Sequence, residues 1–132
     1  SPSEGAPVVV TGTPAGERHE LGALLAAVTA AAGGWRGLFL GPDLPADEIA
    51  AAALRLEARL VALSVVNPTL SVSLPDEIRD LRSRLPAGVG ILVGGPPAVA
   101  MRELLTAEGV GVMDDLDGFR RVLRNEEEGI GP

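Results

Sequence analysis

The sequence predicts an α/β fold, a three-layer sandwich with a parallel sheet of five strands between two layers of helices. Three observations carry that prediction. Five short apolar or β-branched runs alternate with longer helical patterns along 132 residues, the usual size of one domain. The run from Leu60 to Val65 is apolar at every position but Ser64 rather than alternating, as expected of a strand buried on both faces. The runs are separated from the following helices by Gly-, Pro- and hydroxyl-rich segments that read as loops.

In order, Pro7 to Thr11 reads as a first strand, and Gly12 to Gly16 as a Gly/Pro loop. Arg18 to Ala32 is an Ala/Leu-rich helix that stops at Gly33-Gly34. Trp35 to Leu40 is the second strand, Gly41 to Pro45 a turn, and Asp47 to Glu57 a helix. Leu60 to Val65 is the third strand, and a loop containing Asn67-Pro68 leads to a helix over Leu74 to Leu85. Val89 to Val93 is the fourth strand, ending at Gly94-Gly95-Pro96-Pro97, and Ala98 to Ala107 is a short helix. Val110 to Met113 and Leu116 to Arg124 complete the pattern as strand and helix. Such units join by right-handed crossovers, which place helices on both faces of the sheet. The expected strand order is the flavodoxin-like 2-1-3-4-5. The domain is expected to span 7–125, between a flexible N-terminus (1–6) and an acidic tail (126–132) that carries Glu126-Glu127-Glu128.

Composition narrows the function. Hydrophobic residues make up 46% of the chain, but there is no Tyr, one Trp and two Phe. A core of Ala, Val and Leu lets elements approach closely and leaves room for a large flat ligand. With no Cys, disulfides, thiolate zinc sites and thiol catalysis are excluded. With no Lys, so are Schiff-base chemistry and a P-loop. The net charge of −7 and the lack of a basic stripe argue against direct nucleic-acid binding. No apolar stretch reaches membrane-spanning length, so the expectation is a soluble, cytoplasmic protein.

Open parallel sheets bind ligands at the carboxyl ends of their strands, where the strand order reverses. That point falls between strands one and three. It is lined by the loops Gly12 to Gly22, Ser64 to Ser71 and Gly94 to Ala98. The single histidine, His19, lies in the first of them. A neutral imidazole there can ligate a metal through one nitrogen while an acceptor fixes the other. Glu17 is in reach as that acceptor, and Gly22, one turn on, clears space. By itself, a His beside a Glu is as readily an ordinary solvated helix start, and Glu20 a favourable charge near the helix dipole. Ser64 offers a hydroxyl to a ligand or to a neighbouring side chain. Thr69 and Ser71 could support Glu17 from behind. Gly94-Gly95 marks either a turn or the close approach of a ligand. Gly12, Ser64, Gly94 and Gly95 together would leave a narrow slot at the sheet edge. Asp43 reads as a turn residue, because the first loop is not the G-x-G-x-x-G of dinucleotide sites.

Taken together, these positions resemble the cobalamin-binding domain of corrinoid proteins. That family is marked by D-x-H-x-x-G after the first strand, S-x-L after the third and G-G after the fourth. The corresponding residues are Glu17-x-His19-x-x-Gly22, Ser64-x-Val66 and Gly94-Gly95, so Glu stands for Asp and Val66 for Leu. The wording from Gly16 to Gly22, with Gly34-Trp35 and Leu40 to Pro45, is similar to the domains attached to MerR-type regulators, including light-responsive ones. The resemblance implies that cobalamin binds base-off, its nucleotide tail in the slot and His19 as lower axial ligand to cobalt. Glu17 would tune the imidazole, with Thr69 or Ser71 as a third member, while Ser64 and Gly94-Gly95 line the slot. It implies a sensory or carrier module rather than an enzyme. A helical-bundle domain or a partner protein would cover the upper corrin face, and homo-oligomers are a further expectation.

Three other readings compete. Heme or a linear bilin would use the same crevice. The chain would alternatively be the corrinoid-carrying subunit of a methyltransferase or mutase. A phosphoacceptor receiver or a flavodoxin fits less well, since the first needs a Lys and the second usually stacks its flavin on aromatic rings.

Overall fold

The computed structural model describes residues 5–128. Five parallel strands form one sheet of order β2-β1-β3-β4-β5, namely β1 (Val8–Gly12), β2 (Arg36–Phe39), β3 (Leu60–Ser64), β4 (Gly90–Gly94) and β5 (Gly111–Met113). The helices are α1 (Leu21–Ala32), α2 (Ala46–Arg55), α3 (Leu74–Arg84), α4 (Pro96–Ala100), α5 (Arg102–Ala107) and α6 (Leu116–Glu127). This is the expected flavodoxin-like sandwich.

Alternation along the three central strands builds two cores. Val8 and Val10, Val61 and Leu63, and Ile91 and Val93 point to the face covered by α2 to α5. There Leu74, Ile78 and Leu81 supply a stripe at i, i+4 and i+7 of α3. Val9, Leu60, Ala62 and Leu92 point the other way, toward α1 and α6. That second core is thin. α1 buries Ala23, Ala27 and Ala30, and lies so close to β2 that a Cβ on Gly37 would strike the Ala27 carbonyl. Trp35, Phe119 and Leu123 fill it, and among the described residues the Trp35 indole N–H is buried without a partner.

Three boundaries differ from the sequence reading. α1 begins at Leu21 rather than Arg18, which leaves His19 in the loop. The helix expected over Ala98 to Ala107 starts at Pro96 and is divided at Met101. The last helix runs to Glu127, so the first residues of the expected acidic tail are helical. Of the expected terminal segments, 1–4 and 129–132 lie outside the described residues.

Candidate functional site

Glu17 is the centre of the site. Its side chain is fully buried, and its two oxygens serve different partners. Oε1 accepts the backbone N–H groups of Val66 (2.6 Å) and Asn67 (2.7 Å), from the loop after β3. Oε2 accepts the backbone N–H of His19 (3.1 Å) and lies 2.9 Å from His19 Nδ1. Burial alone pushes the carboxyl upward, but the N–H donors of Asn67, Val66 and His19 outweigh it and hold the group at about 2. Glu17 is therefore a fixed anion at neutral pH. An anion at Nδ1 keeps the proton on that nitrogen and leaves Nε2 with its lone pair. The His19 side chain is 70% exposed, and its Nε2 has no protein partner among the described residues.

The loop that carries Glu17 is clamped from its other side. Thr13, fully buried, donates its hydroxyl to the Glu17 carbonyl (2.6 Å). The Asp43 backbone N–H is shared between Thr13 Oγ1 (2.8 Å) and the Glu17 carbonyl (3.0 Å). Asp43 Oδ1 accepts the Gly16 N–H at 2.7 Å, and Asp43 itself takes a left-handed backbone, φ 56. Asp43 is thus more than the turn residue the sequence suggested. Asp43 sits in the Leu40 to Pro45 stretch of the family resemblance and Thr13 in no motif, and only the fold shows that both meet Glu17.

Beside this loop a cavity of about 160 Å³ opens over β3, β4 and β5, between α1 and α6. Ser64, Gly94, Gly95 and Gly22 line it, as does the small face of α1. A Cβ on Gly22 would run into Ser64 Oγ, and one on Gly95 into the Val65 carbonyl. Gly95 also has φ 106, where a side chain is strained. Gly22 and Gly95 thus stand on the cavity wall at positions where a side chain would collide with Ser64 and with the Val65 backbone.

Three expectations need correction. Thr69 does not stand behind Glu17: its hydroxyl and backbone N–H both go to Asn67 Oδ1, at 2.9 and 3.0 Å. No hydrogen bond joins Ser71 to Glu17 among the described residues, and backbone amides take the place a hydroxyl was given. Gly12 is not in the slot: it faces the Gly41 carbonyl, which a Cβ would approach to 3.0 Å. The slot also lies farther across the sheet than the gap between strands one and three. It uses the loop after β5, with Asp114 and Asp115, which the sequence reading passed over. The Ala-rich first helix was the available signal for that face.

The donor set suits a particular kind of metal group. Among the described residues no group of three or more His, Cys, Asp or Glu side chains is assembled to cage an ion. One oriented imidazole nitrogen fits a metal whose other positions come from a macrocycle, and the adjoining cavity fits an appendage of that macrocycle. Fold and site together define a flavodoxin-like ligand-binding domain of the corrinoid type.

Comparison with known proteins agrees. The family described as "B12 binding domain" matches residues 7–118, and the chain belongs to that family. Its cofactor is cobalamin. It is similar to the HTH-type transcriptional repressor CarH of Myxococcus xanthus, with 37% identity over 82 residues, which are 62% of this chain and 27% of the repressor. Among solved structures it resembles a cobalamin-binding protein from Desulfitobacterium hafniense, at TM-score 0.77 and 20% identity, covering 92% of this chain and 59% of that one. It also resembles the monomethylamine corrinoid protein of Methanosarcina barkeri, at TM-score 0.72 and 19% identity, covering 89% and 57%. The chain thus spans about a quarter of the curated relative and little more than half of these structures.

Proposed function

We propose that the domain holds cobalamin base-off, with His19 Nε2 as the lower axial ligand to cobalt, and serves as a sensory module of a MerR-type regulator. The observation that carries this reading is the Glu17–His19 pair: a buried anion fixes Nδ1 on an exposed imidazole, three residues before the cavity-lining Gly22. Glu17 orients the imidazole and strengthens it as a donor. The Val66 and Asn67 amides hold Glu17, and Thr69 steadies Asn67. Gly22, Ser64, Gly94 and Gly95 give the nucleotide tail its room.

Cobalamin would supply the cobalt chemistry, while Glu17 and His19 would hold the metal and Gly22, Ser64, Gly94 and Gly95 would hold the tail. The domain is therefore a binder and not a catalyst in its own right. Resemblance to the repressor, stronger in sequence than that to the corrinoid proteins, favours a regulatory role over a carrier role. In this reading a helical bundle or a partner protein covers the upper face. The setting is cytoplasmic, and no described helix is long and apolar enough to cross a membrane.

The test is the visible spectrum of the protein with hydroxocobalamin, before and after His19→Ala. The parent protein should show the base-off, histidine-ligated form and the variant should lose it. Identical spectra would remove His19 as the ligand.

A further inference from the structure

The slot wall is more selective than room for a tail requires. Its inner part is formed by Ala23 and Ala26 of α1, Ala62 of β3, Leu92 of β4 and Phe119 of α6. Ala62 and Leu92 are paired neighbours two residues short of their strand ends, so they stand deep rather than at the mouth. None of these five side chains carries a hydrogen-bonding atom. The polar side chains, Ser64, Asp114 and Asp115, gather at the carboxyl ends of the strands. Two of those are already engaged: Asp115 Oδ1 accepts the Gly118 N–H at 2.8 Å, and Asp114 Oδ1 accepts Arg102 Nη2 at 2.7 Å.

We infer that the slot selects corrinoids by the base at the end of the nucleotide tail, taking an apolar benzimidazole and discriminating against a purine. The inference rests on the tail-in-slot reading above. Corrinoids differ in that base. A dimethylbenzimidazole presents carbon and methyl edges to Ala26, Ala62 and Leu92, with Phe119 as an aromatic neighbour. An adenine brings an exocyclic amine and additional ring nitrogens into the same space. The backbone groups of β3 and β4 there are spent on the sheet ladder. A polar group moved from water into such a wall without a partner loses its hydration and gains nothing back. The discrimination expected from one such group is roughly tenfold or more in affinity.

The test is equilibrium titration of the full chain with three corrinoids: cobalamin, its adenine-bearing counterpart, and cobinamide, which has no nucleotide tail. Binding is followed by quenching of Trp35, the sole tryptophan. The expected result is that cobalamin binds at least about tenfold more tightly than the adenine form, with cobinamide weaker than cobalamin. Ala26→Ser, which adds a hydroxyl to the wall at a half-buried position, should narrow the gap between the two bases. A change that merely loosened the helix would weaken both alike and leave the ratio unmoved. Equal affinity for both bases, with cobinamide still weaker, overturns the selection while leaving the tail in the slot. Equal affinity for all three overturns the tail placement as well, and no binding of any corrinoid overturns the functional reading itself.

Discussion

Replacing Glu17 by Gln separates the two tasks of that side chain. The carboxylate accepts four N–H groups, two on each oxygen. A glutamine has one acceptor oxygen and one NH₂, so two of the four donors must lose their partner whichever way the amide turns. Turned toward the loop after β3, the NH₂ would face the Val66 and Asn67 N–H groups. Turned toward His19, it faces a residue whose side chain is 70% exposed and whose lost bonds water can replace. The second orientation costs less and should prevail. The oxygen then still holds Val66 and Asn67, and the stability loss is that of a removed charge and two part-exposed bonds, about 1–3 kcal/mol. The carboxyl's own shift from 4.5 to about 2 corresponds to a figure of the same order, about 3 kcal/mol. The larger effect is on the imidazole. Facing an NH₂, Nδ1 must become the acceptor, which moves the proton to Nε2 and blocks it as a ligand. Glu17→Gln should therefore stay folded, with a lowered urea midpoint, and fail to give the histidine-ligated spectrum with hydroxocobalamin. A variant within about 0.5 kcal/mol of the parent and with the parent's spectrum would refute the division of labour drawn here.

Gly95→Ala should cost about 2–4 kcal/mol by urea denaturation, because it combines a left-handed backbone with a Cβ against the Val65 carbonyl; a loss below about 1 kcal/mol would show that the loop relaxes. Asp43→Asn keeps both an acceptor for the Gly16 N–H and tolerance of φ 56, so its stability should stay within about 0.5 kcal/mol of the parent. Asp43→Ala loses both and should cost about 1–2 kcal/mol in the same assay. The pH dependence of the ligand-free protein follows from Glu17, whose carboxyl is lowered in the fold. Its stabilisation is complete above about pH 4.5 and is lost as pH falls through about 2, a change of about 3 kcal/mol that denaturation curves should show and that Glu17→Gln should flatten.

The strand order and the two helical layers were legible because the relevant signals are local. Leu60 to Leu63 are all buried, and the alternation of Val8, Val9 and Val10 between the two cores is what a central strand requires. The start of α1 was not legible, for a reason the site supplies. Arg18 and Glu20 are adequate helix formers, and nothing in their local preference stops a helix there. Instead Glu17 Oε2 takes the His19 N–H, and the clamp by Thr13 and Asp43 holds the preceding residues in a loop. A tertiary contact overrides propensity at the candidate site. Thr69 misled for a similar reason. A hydroxyl on a loop expected to face the carboxylate suggests a bond, but the backbone amides at Val66 and Asn67 carry no residue signature at all. The slot's far wall was passed over because the switch-point rule pointed to the gap between strands one and three, whereas Met113 to Phe119 line the cavity from the β5 edge.

The two halves of the site are joined by α1, and that connection bears on how binding can be sensed. The helix follows His19 directly, and its first two turns bring Gly22, Ala23 and Ala26 to the slot. It is pinned to the sheet by a buried bond from Thr11 Oγ1 to the Ala23 carbonyl, 2.8 Å. A movement of α1 away from α6 that widened the slot would therefore strain that bond and carry the residues flanking His19 with it. The loop, in contrast, is held to the β3 side by Glu17 and to the β2 side by Asp43. The His19 imidazole is thus held by anchors outside α1, while the slot depends on α1 itself. On the proposed binding mode, occupation of the slot and ligation at His19 should for that reason be coupled through the short stretch from Arg18 to Leu21.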